Sequence, residues 1–456
     1  MRQAVSQGVI ASSVGRVVMG LGATGLSCAR YLHRRGLPFA VADTRAAPPG
    51  LEALRREMPR VPVYAGEVPA DLLTGASELI VSPGIPLEQP LVAAAIGAGV
   101  AVVGDIDLFV REAAAPVVGI TGSNAKSTVT ELVGRMALEA GLDAGVGGNL
   151  GTPALELLAL GRELYVLELS SFQLERAGSL DLAVAAVLNI SADHLDRHGS
   201  MVRYHQAKHR IFRGCRRAVV NRDDPLTIPP ESREMELISW RMGEPELDGF
   251  GLRREEGREW LCRGFTPLLP VRELGLLGRH NVANALAALA IGHAAGLAPE
   301  GMATTLRHFR GLPHRCQRVA EIDGVRYVDD SKGTNIGATE AALAGLGGVR
   351  DIVLIAGGQG KGADFTALRR AVSRYCRQLV LIGEDAGKLQ ASLEDCAPVV
   401  IEPTMAAAVA AAAALAHPGD CVLLSPACAS FDMFSGYAER GEAFCAAVEG
   451  LRGERA

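Results

Sequence analysis

Ten residues, Gly119-Ile120-Thr121-Gly122-Ser123-Asn124-Ala125-Lys126-Ser127-Thr128, join the apolar segment Pro116 to Val118 to a stretch where Val129, Leu132, Val133, Met136 and Leu138 recur at helical spacing. That order predicts a strand, a tight turn and a helix, the unit from which α/β domains are assembled. Such a turn suits phosphate. Glycines let the backbone approach an anion, successive N–H groups and the helix N-terminus point at it, Lys126 supplies a charge, and the Ser127 or Thr128 hydroxyl can meet Mg²⁺. The generic pattern has Gly where this chain carries Ile120 and Ala125. A left-handed backbone at 125 would cost about 1–2 kcal/mol with a Cβ present. The turn therefore has either an ordinary backbone or a small penalty on phosphate binding. A glycine-rich turn that binds nothing is the remaining alternative.

At 456 residues, 48% of them hydrophobic and 21% charged, the chain can bury several cores, and its length suggests about three domains. A net charge of −5 argues against a nucleic-acid partner, and the basic run from Arg203 to Arg217 reads as a solvated helix face. The nine cysteines form no C-x-x-C and are odd in number, which fits incidental thiols of a reducing cytosol rather than disulfides or zinc. No charged-then-apolar leader precedes the first domain. No apolar run reaches the roughly 20 residues of a membrane span; Met405 to Ala416 comes closest and reads as a soluble helix stopped by Pro418-Gly419. The expected location is the cytoplasm.

The expected first domain, 1–111, opens with a strand running into Gly20-Leu21-Gly22-Ala23-Thr24-Gly25, then a helix, then a strand ending in Asp43. This fits a dinucleotide fingerprint, but the same geometry serves any ligand with a diphosphate and a ribose. A further strand, Glu78 to Val81, stops at Ser82-Pro83-Gly84, either an ordinary turn or part of a ligand edge.

In the expected second domain, 112–312, the strand Leu164 to Leu169 carries Glu168 near its end. A carboxylate there, beside a phosphate loop, suits Mg²⁺, with a structural role as the alternative. Ser191-Ala192-Asp193-His194-Leu195-Asp196-Arg197-His198 follows the next strand. Its His194 has three readings: an Mg²⁺ or substrate contact, part of a transition-metal hydrolase, or a solvated loop residue. Residues 226–275 predict only short strands and turns. Asn281, in the run Leu277 to Asn284, is either a ligand contact or a first-turn cap of the helix reaching about Ala295. The expected third domain, 313–456, repeats the alternation. Its polar loops, among them Asp329 to Asn335, Gly357 to Asp364 and Ser425 to Asp432, all follow strands and so share one sheet edge. That edge suits a small anionic substrate. Gly357 to Gly362 lacks a hydroxyl after its lysine, so Lys361 reads as a point charge for a carboxylate or phosphate.

Gly119 to Thr128, Leu167-Glu168-Leu169-Ser170-Ser171-Phe172-Gln173-Leu174, Asp193-His194-Leu195-Asp196, Gly311-Leu312-Pro313-His314-Arg315, Asp330-Ser331-Lys332-Gly333-Thr334-Asn335 and Leu424-Ser425-Pro426-Ala427-Cys428-Ala429-Ser430 together resemble the Mur ligases, and most closely the members that add D-glutamate. The resemblance covers nearly the whole chain in order and is weakest over 226–275. It implies three α/β domains, each an open and mainly parallel sheet flanked by helices: Rossmann-like, P-loop ATPase, and Rossmann-like again. It implies an ATP-dependent amide ligase that joins D-glutamate to UDP-N-acetylmuramoyl-L-alanine through an acyl phosphate and a tetrahedral intermediate, and a chain that acts as a monomer.

By the same resemblance, Gly22, Ala23, Thr24, Asp43, Thr44 and Arg45 would surround the uridine, and Ser82, Gly84, Asn149, Gln173 and His194 the rest of that substrate. ATP would meet Gly122, Asn124, Lys126, Ser127, Thr128, Asn281, Asn284, Arg315 and Asp330. Two Mg²⁺ ions would meet Ser127, Glu168, His194 and Lys208, the last as a CO₂-derived carbamate. Lys126, His194 and Lys208 would be catalytic, and Thr334, Lys361, Ser430, Phe431 and Tyr437 would form the D-glutamate pocket. Three rivals stand beside this: a sister ligase with another amino acid or a folate, a dinucleotide oxidoreductase, and a silent nucleotide-binding regulator. The N-terminal diphosphate site disfavours the folate version. The Lys126 loop goes unexplained by the oxidoreductase, and the presence of Glu168, His194 and Lys208 argues against the regulator.

Overall fold

The computed structural model describes residues 15–453 apart from 160, 231–234 and 277. Leu277, and the N-terminal stretch read above for a leader, lie outside the described residues.

Strands β1 (Arg16–Met19), β2 (Ala40–Asp43), β3 (Val63–Ala65), β4 (Glu78–Val81) and β5 (Ala101–Val103) form one sheet in the order β3-β2-β1-β4-β5. Every pairing in it is parallel, with Val17 opposite Ala40 and Leu79 opposite Val17. Because the strand order reverses beside β1, the loops after β1 and β4 flank the switch point where α/β sheets bind ligands. Val17, Val18, Met19, Ala40, Val41 and Ala42 are fully buried, as a strand covered on both faces requires.

A nine-stranded sheet uses β6 (Val117–Thr121), β7 (Ala144–Gly148), β8 (Leu164–Glu168), β9 (Val184–Val187), β10 (Arg217–Asn221), β11 (Glu236–Trp240), β12 (Phe250–Glu255), β13 (Arg258–Arg263) and β14 (Thr266–Pro270). β6, β8 and β7 pair in parallel, whereas β12, β13 and β14 make an antiparallel ribbon within the weakly patterned region. The third sheet contains β15 (Gln317–Ile322), β16 (Val325–Asp329), β17 (Ile352–Gly357), β18 (Cys376–Ile382), β19 (Val399–Ile401) and β20 (Cys421–Leu424), in the order β15-β16-β20-β17-β18-β19. All of its pairings are parallel except β15 with β16. The Ala-rich stretch forms the helix Met405–Leu415, and among the described residues no helix is long and apolar enough to cross a membrane.

By compactness the chain divides into two bodies. One holds residues through Thr121, with Leu142–Ala185 and Gln206–Arg217; the other holds Gly122–Gly141, Ala186–His205 and the residues from Ala218 on. None of the nine cysteines forms a disulfide, and seven of them are buried. Burial raises the thiol pKa to about 11 at Cys215 and about 12 at Cys421 and Cys428.

Candidate active site

In the first body, Gly22 precedes the helix Ala23–Arg34. The preceding turn needs glycine twice: Gly20 has φ +96°, and a Cβ on Gly25 would lie 1.8 Å from the Gly20 carbonyl oxygen. Asp43, at the end of β2, accepts the Leu21 N–H at 2.7 Å and is gripped by Arg45 through its backbone N–H, Nε and Nη2 at 2.9, 2.9 and 2.7 Å. Burial pushes this carboxyl up, but those donors outweigh it and hold the pKa below the usual carboxylate range. Thr44 beside it is exposed. Ser82 Oγ donates to the Gly20 carbonyl at 2.8 Å, tying the turns after β1 and β4 together.

Also in this body, Asn149 Nδ2 donates to Glu168 Oε1 at 2.6 Å. The other carboxylate oxygen, Oε2, is buried and, among the described residues, accepts no hydrogen bond. A buried carboxylate oxygen with no donor suits a hard divalent cation, so Glu168 fits the Mg²⁺ expected there. Among the described residues no group of three or more His, Cys, Asp or Glu converges on a metal position. Gln173 caps its own helix, accepting from Ser170 N and Oγ at 3.0 Å, and donates Nε2 to Asp105 Oδ2 at 2.9 Å. Lys208, near the end of the helix Met201–His209, is 1% exposed.

In the second body the turn Gly122 to Ala125 is braced by the loop after β9. Asn124 N donates to Asn189 Oδ1 at 2.8 Å, and Asn189 Nδ2 returns to Asn124 O at 3.2 Å. Ser123 Oγ meets Ser191 O at 2.9 Å and Tyr204 Oη at 3.0 Å. Lys126 opens the helix Lys126–Glu139, and its Nζ folds back onto the carbonyls of Gly122 and Ser123 at 2.8 and 3.0 Å. Ser127 and Thr128 are buried, and Arg315 Nη2 donates to Ser127 Oγ at 2.6 Å. The Gly-Leu-Pro-His-Arg segment thereby reaches the start of the helix Lys126–Glu139.

Ala125 is left-handed, with φ +67° and ψ −7°, so the backbone is not the ordinary one and the Cβ penalty is present. Ala125→Gly should therefore stabilise the protein by up to about 1 kcal/mol, the strain relieved less the extra entropy of an unfolded glycine. Urea denaturation of the two proteins checks this; a destabilised variant would contradict it.

Two residues not singled out above join this region. Asp193 Oδ1 pairs with Lys361 Nζ at 3.0 Å, while Asn335 Nδ2 donates to both Asp193 Oδ2 and Asn124 Oδ1 at 3.1 Å. Lys332 Nζ sits 3.8 Å from the centre of the Tyr437 ring, a cation–π contact. Asp193 and Asn335 lie inside quoted motifs, but no spacing distinguishes them from their neighbours. His194, left-handed at φ +53°, has its pKa lowered by burial, with Lys361 and Lys126 adding to the effect and Asp193 opposing it. A neutral imidazole able to accept or ligate follows.

Asn281 is the third residue of the helix Arg279–Ala294. Gly278 takes the N-cap, and Asn284 Nδ2 bonds Asn281 Oδ1 at 2.8 Å. Thr334 is half-buried, Ser430 buried, and Phe431 exposed. Asp330 is buried, accepting from Ser425 Oγ at 2.7 Å and Cys316 N at 3.2 Å, and burial raises its pKa to about 7. A carboxyl raised on folding adds stability below its unfolded value near 4 that is lost as pH rises through 7. Asp330→Asn, neutral throughout, should thus gain on the native protein between pH 4 and 7 by up to about 1.4 kcal/mol per unit. Melting temperatures at pH 5 and 8 test it: parallel shifts in both proteins would contradict the assignment.

Residues 15–104 match the family described as "Mur ligase MurD-like, N-terminal domain", residues 120–292 the "Mur ligase middle domain" and residues 314–428 the "Mur ligase, glutamate ligase domain". The chain belongs to the Mur ligase family. It is 56% identical over 445 residues to a UDP-N-acetylmuramoylalanine–D-glutamate ligase of Pseudomonas aeruginosa, covering 97% of this chain and 99% of that one. It is 54% identical over 449 residues to the protein of the same name from Pseudomonas putida, covering 98% and 100%. Among solved structures it is similar in fold to the MurF ligase of Thermotoga maritima in complex with ADP, with TM-score 0.61, 16% identity, and 98% and 97% of the two chains covered.

Proposed function

We propose that this chain is an ATP-dependent amide ligase of cytoplasmic peptidoglycan precursor synthesis that joins D-glutamate to UDP-N-acetylmuramoyl-L-alanine. What carries the reading is the 56% identity, along nearly the full length of both chains, to a relative named for that reaction.

A carboxylate is a poor electrophile, so the alanyl carboxylate must first take the γ-phosphoryl group of ATP. Lys126, at the helix N-terminus, would place its charge on the phosphate oxygens. Glu168 would hold Mg²⁺ through Oε2, and Ser127 would offer a hydroxyl. When bound, Mg²⁺ neutralises charge developing on the transferred group. Lys208, 1% exposed, is the proposed site of the carbamate, which would turn its side chain from a cation into an anionic ligand. The D-glutamate amine then attacks the acyl phosphate, giving a tetrahedral intermediate that expels phosphate. Lys361 would hold an amino-acid carboxylate, with Thr334, Ser430, Phe431 and Tyr437 around it. Since Lys361 pairs with Asp193 at 3.0 Å, the loop after β17 already reaches the motif that contains His194.

The test is phosphate release with ATP, Mg²⁺ and UDP-N-acetylmuramoyl-L-alanine, with D-glutamate, with L-glutamate and with neither. Turnover only with the D-isomer is expected. Turnover with a different amino acid alone would transfer the chain to a sister reaction.

A further inference from the structure

The turn Ser82-Pro83-Gly84 is held by a side chain that has no part in the proposal so far. Arg176 ends the helix Ser171–Arg176, and none of its side chain is exposed. Its Nη1 donates to the carbonyls of Val81, at 3.1 Å, and Ser82; its Nη2 donates to those of Pro83 and Ile85 at 3.4 and 3.1 Å. Glu175 adds a carboxylate at 3.4 Å. Gly104 leaves room for the stem, since a Cβ there would lie 3.0 Å from Arg176 Cγ.

Four carbonyls gathered on one guanidinium fix how the peptide planes of this turn are rotated. In a trans peptide the C=O and the following N–H point in opposite directions. The Pro83 carbonyl faces Arg176, so the Gly84 N–H faces away from it. Gly84 is exposed, a Cβ there would meet nothing within 4 Å, and its N–H donates to no protein atom among the described residues. An outward N–H backed by a buried positive charge is a donor for an anion.

We propose that Arg176 is a positioning residue for the diphosphate of the nucleotide-linked substrate, acting through the Ser82–Ile85 turn without touching the ligand. The proposal rests on the function proposed above, in which Ser82 and Gly84 face that diphosphate. Arg176 sets the affinity for that one substrate and leaves the ATP and amino-acid ends unaffected.

The experiment compares wild type, Arg176→Lys and Arg176→Met by calorimetric titration with UDP and by steady-state kinetics with each substrate varied. Arg176→Met should weaken UDP binding and raise KM for UDP-N-acetylmuramoyl-L-alanine about tenfold, with KM for ATP and D-glutamate within twofold of wild type. Arg176→Lys, which keeps the charge but not the fork, should lie between the two. If Arg176→Met does not fold, Arg176→Lys decides alone, by the same selective rise. Unchanged UDP affinity in a folded variant, or an equal rise in all three KM values, overturns the inference. Wild-type protein that bound neither UDP nor the full substrate would overturn the functional reading itself.

Discussion

Replacing Lys126 by methionine is expected to lower kcat by two to three orders of magnitude while leaving the melting temperature nearly unchanged. The two halves of that expectation have separate origins. The Lys126 Nζ makes hydrogen bonds to the Gly122 and Ser123 carbonyls of its own turn. The turn is held independently by the reciprocal pair of Asn124 with Asn189 and by Ser123 with Ser191. Folding should therefore tolerate the loss of the ammonium. Charge on a phosphoryl group in transfer should not, because Lys126 is the charged residue that opens the helix Lys126–Glu139 and its ammonium is carried on the turn itself. Phosphate release and differential scanning fluorimetry on the same preparation measure both halves. A variant that kept a tenth of the native kcat would remove Lys126 from the chemistry.

The second large effect is a separation of activity from stability at Glu168. Glu168→Gln keeps the volume and the Oε1 that accepts from Asn149, but replaces the buried Oε2, which has no donor among the described residues, with a neutral amide nitrogen. Removing a buried charge that Asn149 satisfies at one oxygen only should leave the fold as stable or slightly more so. As a metal ligand the amide nitrogen is useless, so activity should fall at least about 100-fold, and the Mg²⁺ concentration for half-maximal rate should rise. Mg²⁺ titrations of phosphate release together with urea melts check the pair. Full activity at ordinary Mg²⁺ in the variant would show that Glu168 holds no metal.

The turn at Gly119 to Thr128 was legible because its chemistry is local: a strand, glycines, a lysine and a helix in ten consecutive residues. The backbone state of Ala125 was not, since the same residues fit an ordinary or a left-handed conformation until the bracing by Asn189 is known. Neither were the Arg315 bond to Ser127 nor the Asp193 pair with Lys361, which join positions 188 and 168 residues apart. Arg176 escaped notice for a different reason: a single arginine at a helix end ordinarily faces water, and only the fold brings four carbonyls to it. The ribbon β12–β14 is legible only as short strands, because large apolar residues also stand in its turns, Leu247 before β12 and Phe265 between β13 and β14, 72% and 71% exposed, and they blur the alternation that marks a strand.

The cysteines, none of them in a disulfide, turn the molecule into its own reporter. A thiol is alkylated as the thiolate, and burial both blocks the reagent and raises the pKa at Cys376, Cys421 and Cys428. Labelling at these positions thus waits for the backbone around them to open. Because Cys28 lies in the helix after β1 while Cys376, Cys421 and Cys428 lie in or just after strands of the third sheet, mass spectrometry of pulse-alkylated peptides would read the opening of the two regions as separate clocks.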